Sequence, residues 1–213
     1  MYLKIKRILD FIIALILLIV FAIPMLLVSI AIKLDDKGKV FYKQLRMGKG
    51  LKPFYIYKFR TMKSNRKELE SVLTHNEMVT KVGRFLRATS IDELPQLINI
   101  LKGEMSFIGP RPWIVDYYDL FTDDQKKRCN VLPGLSGLAQ IKGRNGINIF
   151  KKIEYDIEYV HNASLKLDLK IFILSIAAAI RKSNAEISEM GIKEELKELK
   201  RSNVKEENHK IKI

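Results

Sequence analysis

The chain has 213 residues, of which 47% are hydrophobic and 29% charged, and this balance excludes a fully disordered protein because it provides enough apolar surface for a buried core. Lysine and arginine (38) outnumber aspartate and glutamate (24), so the formal net charge is +14 and an anionic partner is indicated: nucleic acid, an acidic membrane or a phosphorylated substrate. The single cysteine, Cys129, excludes an intrachain disulfide, and the three scattered histidines lack the spacing of a zinc site.

The first predicted element is an apolar helix near the N-terminus. Residues 11–32 carry no charge, and as a helix they would measure about 33 Å, enough to cross a bilayer core of about 30 Å. Basic residues lie on both sides of this run, including Lys4 before it and Lys37 after it. Because lysine and arginine favour the cytoplasmic side of a membrane, both flanks are predicted to lie there.

Pro24 interrupts this apolar run. It removes the amide that would bond the carbonyl of Val20, and the 13 apolar residues before it span only about 20 Å. We therefore expect residues 1–33 to form a re-entrant helix that enters the membrane, bends at Pro24 and returns to the same face. The alternative is a plain transmembrane helix with a proline kink.

Two aromatic-rich strands, joined by a glycine-containing turn at residues 47–52, predict a β-hairpin after the membrane segment. The two-residue period of the second strand places Lys58 and Arg60 on one face, where they are expected to reach a single anion together. The alternative is a solvated basic edge strand that discourages aggregation.

Further basic residues recur in the middle of the chain. Arg84 and Arg87 lie three positions apart, on one face if this segment is a helix, and Arg111 lies between two prolines in GPRP. Each pattern alone is typical of an ordinary surface, but together they favour phosphate binding. A flexible loop whose amides approach an anion is also predicted, from Gly134, Gly137, Gly143, Arg144 and Gly146.

Asp92 and Glu93 are adjacent in the segment TSIDELPQL, although like charges in contact are costly unless cations offset them. One interpretation is structural, since Ser90 and Glu93 have the spacing of a capping box at the start of a helix. The other is functional. We expect the free amides of a helix start to keep both carboxylates ionised, so that they can attack phosphorus or hold Mg²⁺. A divalent metal, Arg87 and Arg111 would offset their repulsion.

Three segments in this order resemble a known family: YKFRTM (57–62), KVGRFLRATSIDELPQLINILKGEMSFIGPRP (81–112) and LPGLSGLAQIKGRN (132–145). They are similar to the bacterial sugar transferases, the small monotopic polyprenyl-phosphate phosphoglycosyl transferases, and the similarity runs from about residue 4 to residue 180. The resemblance implies transfer of a phosphosugar from a UDP-sugar to undecaprenyl phosphate with release of UMP. This reaction would initiate polysaccharide or glycoprotein glycan synthesis at the cytoplasmic face of the bacterial inner membrane.

The resemblance also assigns roles to residues. Asp92 matches the family's nucleophile, which forms a covalent aspartyl intermediate, and Glu93 would help hold Mg²⁺, together with Asp92, or assist proton transfer. Lys58, Arg87 and Arg111 match the family's phosphate-binding positions. This assignment agrees with the chemistry, because phosphoryl transfer requires neutralisation of the negative charge on the transferred group.

The chain departs from the family pattern in two places. Ile23 precedes Pro24 where the family usually has serine, so a helix break depends on the proline alone. In the glycine-rich loop, Leu138 replaces a usual tryptophan and Lys142 a usual asparagine, which leaves the sugar preference open.

The expected architecture is a helix-rich α+β fold. It comprises the re-entrant membrane helix (1–33), a catalytic domain on the membrane surface that contains the hairpin (34–181), and a charged tail without a catalytic role (182–213). Within the domain, residues 167–180 predict an interfacial helix, with burial in the soluble core as the alternative.

A rival function belongs to another class: a membrane-tethered basic module that binds nucleic acid or anionic lipid without turnover. Its support is the net charge and the aromatic, basic strand, but it leaves the pair of Asp92 and Glu93 without a role. The transferase interpretation predicts a UDP-sugar, undecaprenyl phosphate and a membrane as partners, and no nucleic acid. The donor sugar, the glycan pathway and homo-oligomer formation stay open.

Overall fold

The computed structural model describes residues 2–65, 74, 77–143 and 147–180. Its helices are α1 (Tyr2–Val20), α2 (Ala22–Asp35), α3 (Lys81–Thr89), α4 (Gln96–Lys102), α5 (Asp123–Lys126), α6 (Leu138–Lys142), α7 (Ile149–Asn162) and α8 (Leu165–Ile180). Its strands are β1 (Phe41–Met47), β2 (Pro53–Phe59), β3 (Ser106–Ile108) and β4 (Gly134–Ser136). Short 3₁₀ turns occupy Lys49–Leu51, Ile91–Glu93, Val115–Leu120 and Lys127–Asn130.

The apolar N-terminal segment forms two helices, α1 and α2, which meet at Phe21 and are bent by 60°. The predicted bend at Pro24 is therefore wrong in position. The Pro24 ring clashes with a preceding helical turn, and proline has no amide hydrogen to donate. Pro24 therefore lies in the first turn of a new helix, and the break comes before it. Among the described residues, no single helix has the length and apolar character to cross a membrane, whereas this bent pair does by length and composition.

Most apolar side chains of this helix pair are exposed. In α1 only Asp10 and Ala14 are buried, and in α2 only Ile32. An apolar surface of this extent is typical of a segment that contacts lipid or another apolar partner. Its exposed members include Ile8, Ile12, Ile16, Ile19, Ile23 and Leu27.

Polar contacts attach α1 to the rest of the chain. The buried carboxylate of Asp168 in α8 accepts hydrogen bonds from the hydroxyls of Tyr2 (2.5 Å) and Tyr159 (2.7 Å), and Lys6 Nζ lies 2.6 Å from it. Arg7 donates to two carbonyls at the end of α4, 2.7 and 2.8 Å away. These contacts fix the base of α1 against the domain, because a buried charge is stable only when it is paired and hydrogen-bonded.

The predicted hairpin is confirmed as an antiparallel pair whose register runs from Phe41 opposite Phe59 to Met47 opposite Pro53. Its inner face packs against α1 and α4 through a cluster that contains Phe54 and Ile56. Buried Asn99 of α4 joins the helix to the strand, since its side chain donates to the Tyr55 carbonyl (2.7 Å) and accepts from the Tyr57 amide (3.1 Å). The hairpin thus holds Lys58 in a fixed position relative to α4.

The glycine-rich segment does not form the predicted flexible loop where the structure describes it. Gly134 lies in β4, which pairs in parallel with β3, and Gly137 begins α6. A Cβ atom on Gly134 would lie 2.1 Å from the amide of Gly109, and one on Gly137 would lie 2.2 Å from the Gly109 carbonyl. Glycine is therefore needed here for close backbone packing. Leu138 is buried beside them in the core, and Arg144 and Gly146 lie outside the described residues.

Helix α8 confirms the helix predicted at 167–180. It is not wholly buried in the core: Asp168 and Ile171 point inward, while an apolar face stays exposed. The exposed residues are Leu165, Leu169, Phe172, Ile173, Leu174 and Ile176, with exposed fractions from 42% to 61%. The charged tail at 182–213 lies outside the described residues.

Candidate active site

Asp92 and Glu93 lie on the 3₁₀ turn Ile91–Glu93, between α3 and α4. The capping-box interpretation is wrong: Ser90 ends α3 in a left-handed conformation with φ of 60° and forms no side-chain cap. Pro95 has no amide to continue a helix from the turn, so α4 begins only at Gln96. The acidic pair is therefore presented by a short turn and not by the first turn of a helix.

Lys58, near the end of β2, is the cation that contacts both acids. Its Nζ lies 2.5 Å from Glu93 Oε1 and 3.9 Å from Asp92 Oδ2. All three side chains are about four-fifths buried, with exposed fractions of 15% to 21%. The hairpin thus brings Lys58, which the family resemblance assigns to phosphate binding, to the acidic pair.

Arg111 approaches Glu93 from the GPRP loop. Its Nη2 lies 3.3 Å from the same oxygen, Oε1, that Lys58 contacts. The Arg111 side chain is 41% exposed, so its guanidinium faces both the acid and the solvent. A substrate phosphate can therefore reach Arg111 without unfolding of the loop.

These two cations control the ionisation of Glu93. Burial, the largest effect, would raise the pKa of Glu93, but the charges and hydrogen bonds of Lys58 and Arg111 outweigh it and lower the pKa from 4.5 to about 2. The carboxylate is thus ionised at neutral pH. The cause is a pair of side-chain cations, and not the free helix amides expected from the sequence.

Arg87 lies on α3 and faces the segment that follows β2. Its Nε donates to Thr61 Oγ1 at 3.0 Å. The helix can approach this segment because Gly83 has no side chain: a Cβ atom there would lie 2.0 Å from the Thr61 carbonyl. Arg87 is therefore brought beside the motif that contains Lys58, while Arg84 on the same helix is exposed.

The prediction that Arg60 joins Lys58 at one anion is wrong. Strand β2 ends at Phe59, and the guanidinium of Arg60 pairs with the carboxylate of Asp36, just after α2. It also donates to the Asp36 carbonyl at 2.6 Å. Arg60 thus attaches the end of α2 to the domain, and the alternation of side chains between the two faces of β2 does not extend to Arg60.

A buried ion pair supports the Arg111 loop, and no local pattern in the sequence indicated it. Arg128 Nη2 donates to the Arg111 carbonyl at 2.7 Å and to Asp156 Oδ2 at 2.5 Å, and both side chains of the pair are only 2% exposed. The Arg128 guanidinium also lies over the ring of Trp113, 4.4 Å from its centroid. Because the partners are 28 positions apart on different elements, only the tertiary fold reveals them.

The acidic pair offers hard oxygen ligands of the kind that Mg²⁺ prefers. Within the described part of the chain, no group of three or more histidine, cysteine, aspartate or glutamate side chains is placed to hold a metal ion. Magnesium sites commonly use one or two carboxylates, with substrate phosphates and water as the other ligands. Both cations contact Oε1 of Glu93. Asp92 and Glu93 therefore fit Mg²⁺ in the presence of a phosphorylated substrate.

Comparison with known proteins gives a consistent result. A family model described as bacterial sugar transferase matches residues 1–182. The chain is 46% identical over 171 residues to an uncharacterized sugar transferase, EpsL, of Bacillus subtilis, with 80% of this chain and 85% of the relative covered. It is 40% identical over 190 residues to a UDP-glucose:undecaprenyl-phosphate glucose-1-phosphate transferase of Caulobacter vibrioides (84% and 71% covered). A Klebsiella pneumoniae protein of the same name is 40% identical over 181 residues, which cover 80% of this chain and 39% of that longer protein.

Proposed function

Because the chain belongs to the bacterial sugar transferase family, we propose that it transfers a sugar-1-phosphate from a UDP-sugar to undecaprenyl phosphate and releases UMP. The names of the relatives from Caulobacter and Klebsiella support this substrate pair. The structural observation that carries the proposal is the convergence of Lys58 and Arg111 on Glu93, next to Asp92. Cations and carboxylates in this arrangement suit the transfer of a phosphoryl group.

Asp92 is the proposed nucleophile. Its carboxylate oxygen attacks the phosphorus that carries the sugar, a new O–P bond forms, and the bond to the bridging oxygen breaks with its electron pair leaving on UMP. A phosphate oxygen of undecaprenyl phosphate then attacks the same phosphorus and displaces the aspartate. Both steps exchange one O–P bond for another, so no net proton transfer is needed.

The cations of the site neutralise charge during both steps. The Lys58 ammonium lies near both acids, so it can interact with the Asp92 carboxylate before the reaction and with the phosphate once that phosphate is bound to Asp92. Arg111 is partly exposed and meets the phosphate from the solvent side. Arg87, which the family resemblance assigns to phosphate binding, lies on α3 with its Nε 3.0 Å from Thr61 Oγ1, three positions after Lys58. Such contacts stabilise the transition state when they strengthen as charge moves onto the leaving oxygen.

Mg²⁺ is the proposed cofactor, held by Asp92 and Glu93 together with the diphosphate of the substrate. When bound, it would polarise the phosphoryl oxygens and neutralise the departing UMP. With a pKa of about 2, Glu93 stays ionised, which suits a metal ligand better than a proton donor.

The same proposal places the chain on the cytoplasmic face of the bacterial inner membrane, with α1 and α2 as a re-entrant pair. Its support is the exposed apolar surface of the pair, the basic residues on both of its flanks and the apolar face of α8. The active site would then face an acceptor whose phosphate lies at the membrane surface and whose chain lies in the lipid.

A turnover assay tests the proposed function against the basic binding module. Purified protein is incubated with Mg²⁺, undecaprenyl phosphate and one of a panel of UDP-sugars that includes UDP-glucose, and UMP is measured. Release of UMP that depends on Mg²⁺ and on the donor is the expected result. Binding of nucleic acid or anionic vesicles, without UMP release for any donor, would reject the transferase in favour of the binding module.

A further inference from the structure

The loop that carries Arg111 is tied to the rest of the chain along its backbone. Four successive carbonyls, those of residues 110–113, each accept a hydrogen bond from outside the loop: two from neighbouring residues of β1, one from β4 and one from Arg128. Two of the donors are backbone amides and two are arginine side chains. They are the Gly134 amide (2.9 Å to Pro110), Arg128 (2.7 Å to Arg111), Arg46 (3.3 Å to Pro112) and the Met47 amide (2.8 Å to Trp113).

The two arginines make the same type of backbone contact but differ in charge compensation. Arg128 pairs with Asp156 in the core, so its charge is neutralised locally. Arg46 donates to the side-chain oxygen of Gln44 and to the Pro112 carbonyl, and its Nε is buried with no hydrogen-bond partner. Within the described ranges, no carboxylate forms an ion pair with Arg46. Removing a charge from water without a counterion is costly, so such an arrangement calls for an explanation.

The register of the hairpin places Arg46 on the same face as Lys58. Tyr42 is opposite Lys58 and Phe54 is opposite Arg46, and opposed residues project to the same side of a sheet. Since alternate residues of a strand also share a face, Tyr42 and Arg46 lie on one side. The side chains of Lys58 and Arg46 therefore leave the hairpin toward the side where Glu93 and the Arg111 loop lie.

The electrostatics of Arg46 agree with this position. Burial, followed by the charge of Arg111, lowers the pKa of Arg46 to about 10, while the charge of Glu93 partly opposes the change. Arg46 is thus fully protonated at neutral pH despite its burial. It lies close enough to Arg111 and Glu93 for their charges to act on it, and an anion bound between them would relieve the repulsion of the two arginines.

We propose that Arg46 is a fourth cation of the phosphate site and that its uncompensated charge binds the diphosphate of the nucleotide substrate. The proposal rests on the proposed function. Lys58 and Arg111 both contact Glu93, whereas Arg46 forms no ion pair with a carboxylate of the described residues. A UDP-sugar carries negative charge on its diphosphate, which can supply the counterion that Arg46 lacks.

The test compares two substitutions of Arg46. Arg46→Gln removes the charge but keeps a donor for the Pro112 carbonyl, whereas Arg46→Lys keeps the charge. Lys43→Gln is the matched control, because it removes a charge from the opposite, solvent-exposed face of the same strand. Binding of UDP and of uridine, which has no phosphate, is measured at equilibrium on the full chain, and thermal melting monitors folding.

We expect Arg46→Gln to weaken UDP binding about ten-fold, the equivalent of about 1.4 kcal/mol, and to leave uridine binding unchanged. Arg46→Lys should retain most of the UDP affinity, and Lys43→Gln all of it. Wild-type UDP affinity in Arg46→Gln would overturn the proposal. An equal loss in both Arg46 variants would also overturn it, because the role of Arg46 would then be to hold the loop.

The binding measurement also separates this proposal from the proposed function, since it requires no turnover. A wild-type protein that binds UDP with the expected dependence on Arg46, but releases no UMP, would reject the transfer reaction and support the cation site. If the wild-type protein releases UMP and Arg46→Gln binds UDP with wild-type affinity, only the cation site is rejected.

Discussion

Lys58 Nζ lies 2.5 Å from Glu93 Oε1, which joins the hairpin to the turn before α4 across 35 positions of the chain. The contact keeps an acid ionised and largely buried, and it also brings the ammonium within 3.9 Å of Asp92. Two like charges can stay adjacent because this cation and Arg111 offset their repulsion. The site is therefore preorganised for an anionic substrate before the substrate binds.

Replacement of Asp92 by asparagine tests the nucleophile. The change is nearly isosteric, so the fold should persist, but no covalent intermediate can form and UMP release should fall by at least about a thousand-fold, or about 4 kcal/mol in the barrier. In wild type, UMP should appear from the donor before undecaprenyl phosphate is added. Asp123→Asn, at a side chain that is 98% exposed, serves as control. An Asp92→Asn protein with more than about a tenth of wild-type activity would remove Asp92 from this role.

Arg111→Ala should reduce kcat/KM by about ten-fold or more, because a charge-assisted hydrogen bond to phosphate contributes roughly 1.5–3 kcal/mol. The guanidinium is partly exposed, so the melting temperature should change little. Steady-state kinetics with varied donor concentration measure the effect. Near wild-type kinetics would exclude Arg111 from the substrate site.

Removal of Lys58 should change how stability depends on pH. The pKa of Glu93 is lowered in the folded state to about 2, so its ionised form stabilises the fold above the ordinary value of 4.5, and this stabilisation is lost as the pH falls toward 2. In Lys58→Gln the pKa of Glu93 should rise, since burial then acts against one cation fewer. The loss of stability that Glu93 causes between about pH 4.5 and pH 2 should therefore be smaller in Lys58→Gln than in wild type.

Denaturant unfolding between pH 2 and pH 7 measures how much unfolding free energy each variant loses at acid pH. Lys43→Gln also removes one positive charge, but at an exposed position of β1 distant from Glu93. It should leave the loss of stability at acid pH unchanged. If Lys58→Gln and wild type lost the same unfolding free energy at acid pH, Lys58 would not control the ionisation of Glu93.

Arg128→Met should destabilise the protein by about 3–5 kcal/mol, because it leaves the buried carboxylate of Asp156 without its partner. The double variant with Asp156→Asn should recover part of this loss, since no buried charge then lacks a partner. Urea unfolding provides the measurement. If the losses of the two single variants, Arg128→Met and Asp156→Asn, simply added in the double variant, the two side chains would not be coupled.

The re-entrant arrangement can be tested by labelling of cysteines introduced near Lys4 and near Lys37 in a Cys129→Ser background. Because basic residues flank both ends of the apolar segment, both sites should react only with reagents that reach the cytoplasmic side. Reaction of the site near Lys4 alone from the periplasm would instead show a helix that crosses the membrane.

Several features of this protein follow from the sequence alone, because they depend on local periodicity or on motifs of fixed spacing. The two-residue pattern around the 47–52 turn predicted the hairpin, and the apolar run near 167–180 predicted the helix α8. The motifs around Lys58, Asp92 and Arg111 indicated the family that the comparisons show. In each case the information lies within a few neighbouring positions.

Other features were decided only by the tertiary structure, because they depend on which distant groups meet. Pairing with Asp36 removes Arg60 from the site, although its position in the sequence resembles that of Lys58. The Arg128–Asp156 pair and the contact of Arg46 with the Arg111 loop join separate elements and have no local signature. The ionisation of Glu93 likewise results from a balance between burial and two cations from distant segments, and that balance exists only once the chain has folded.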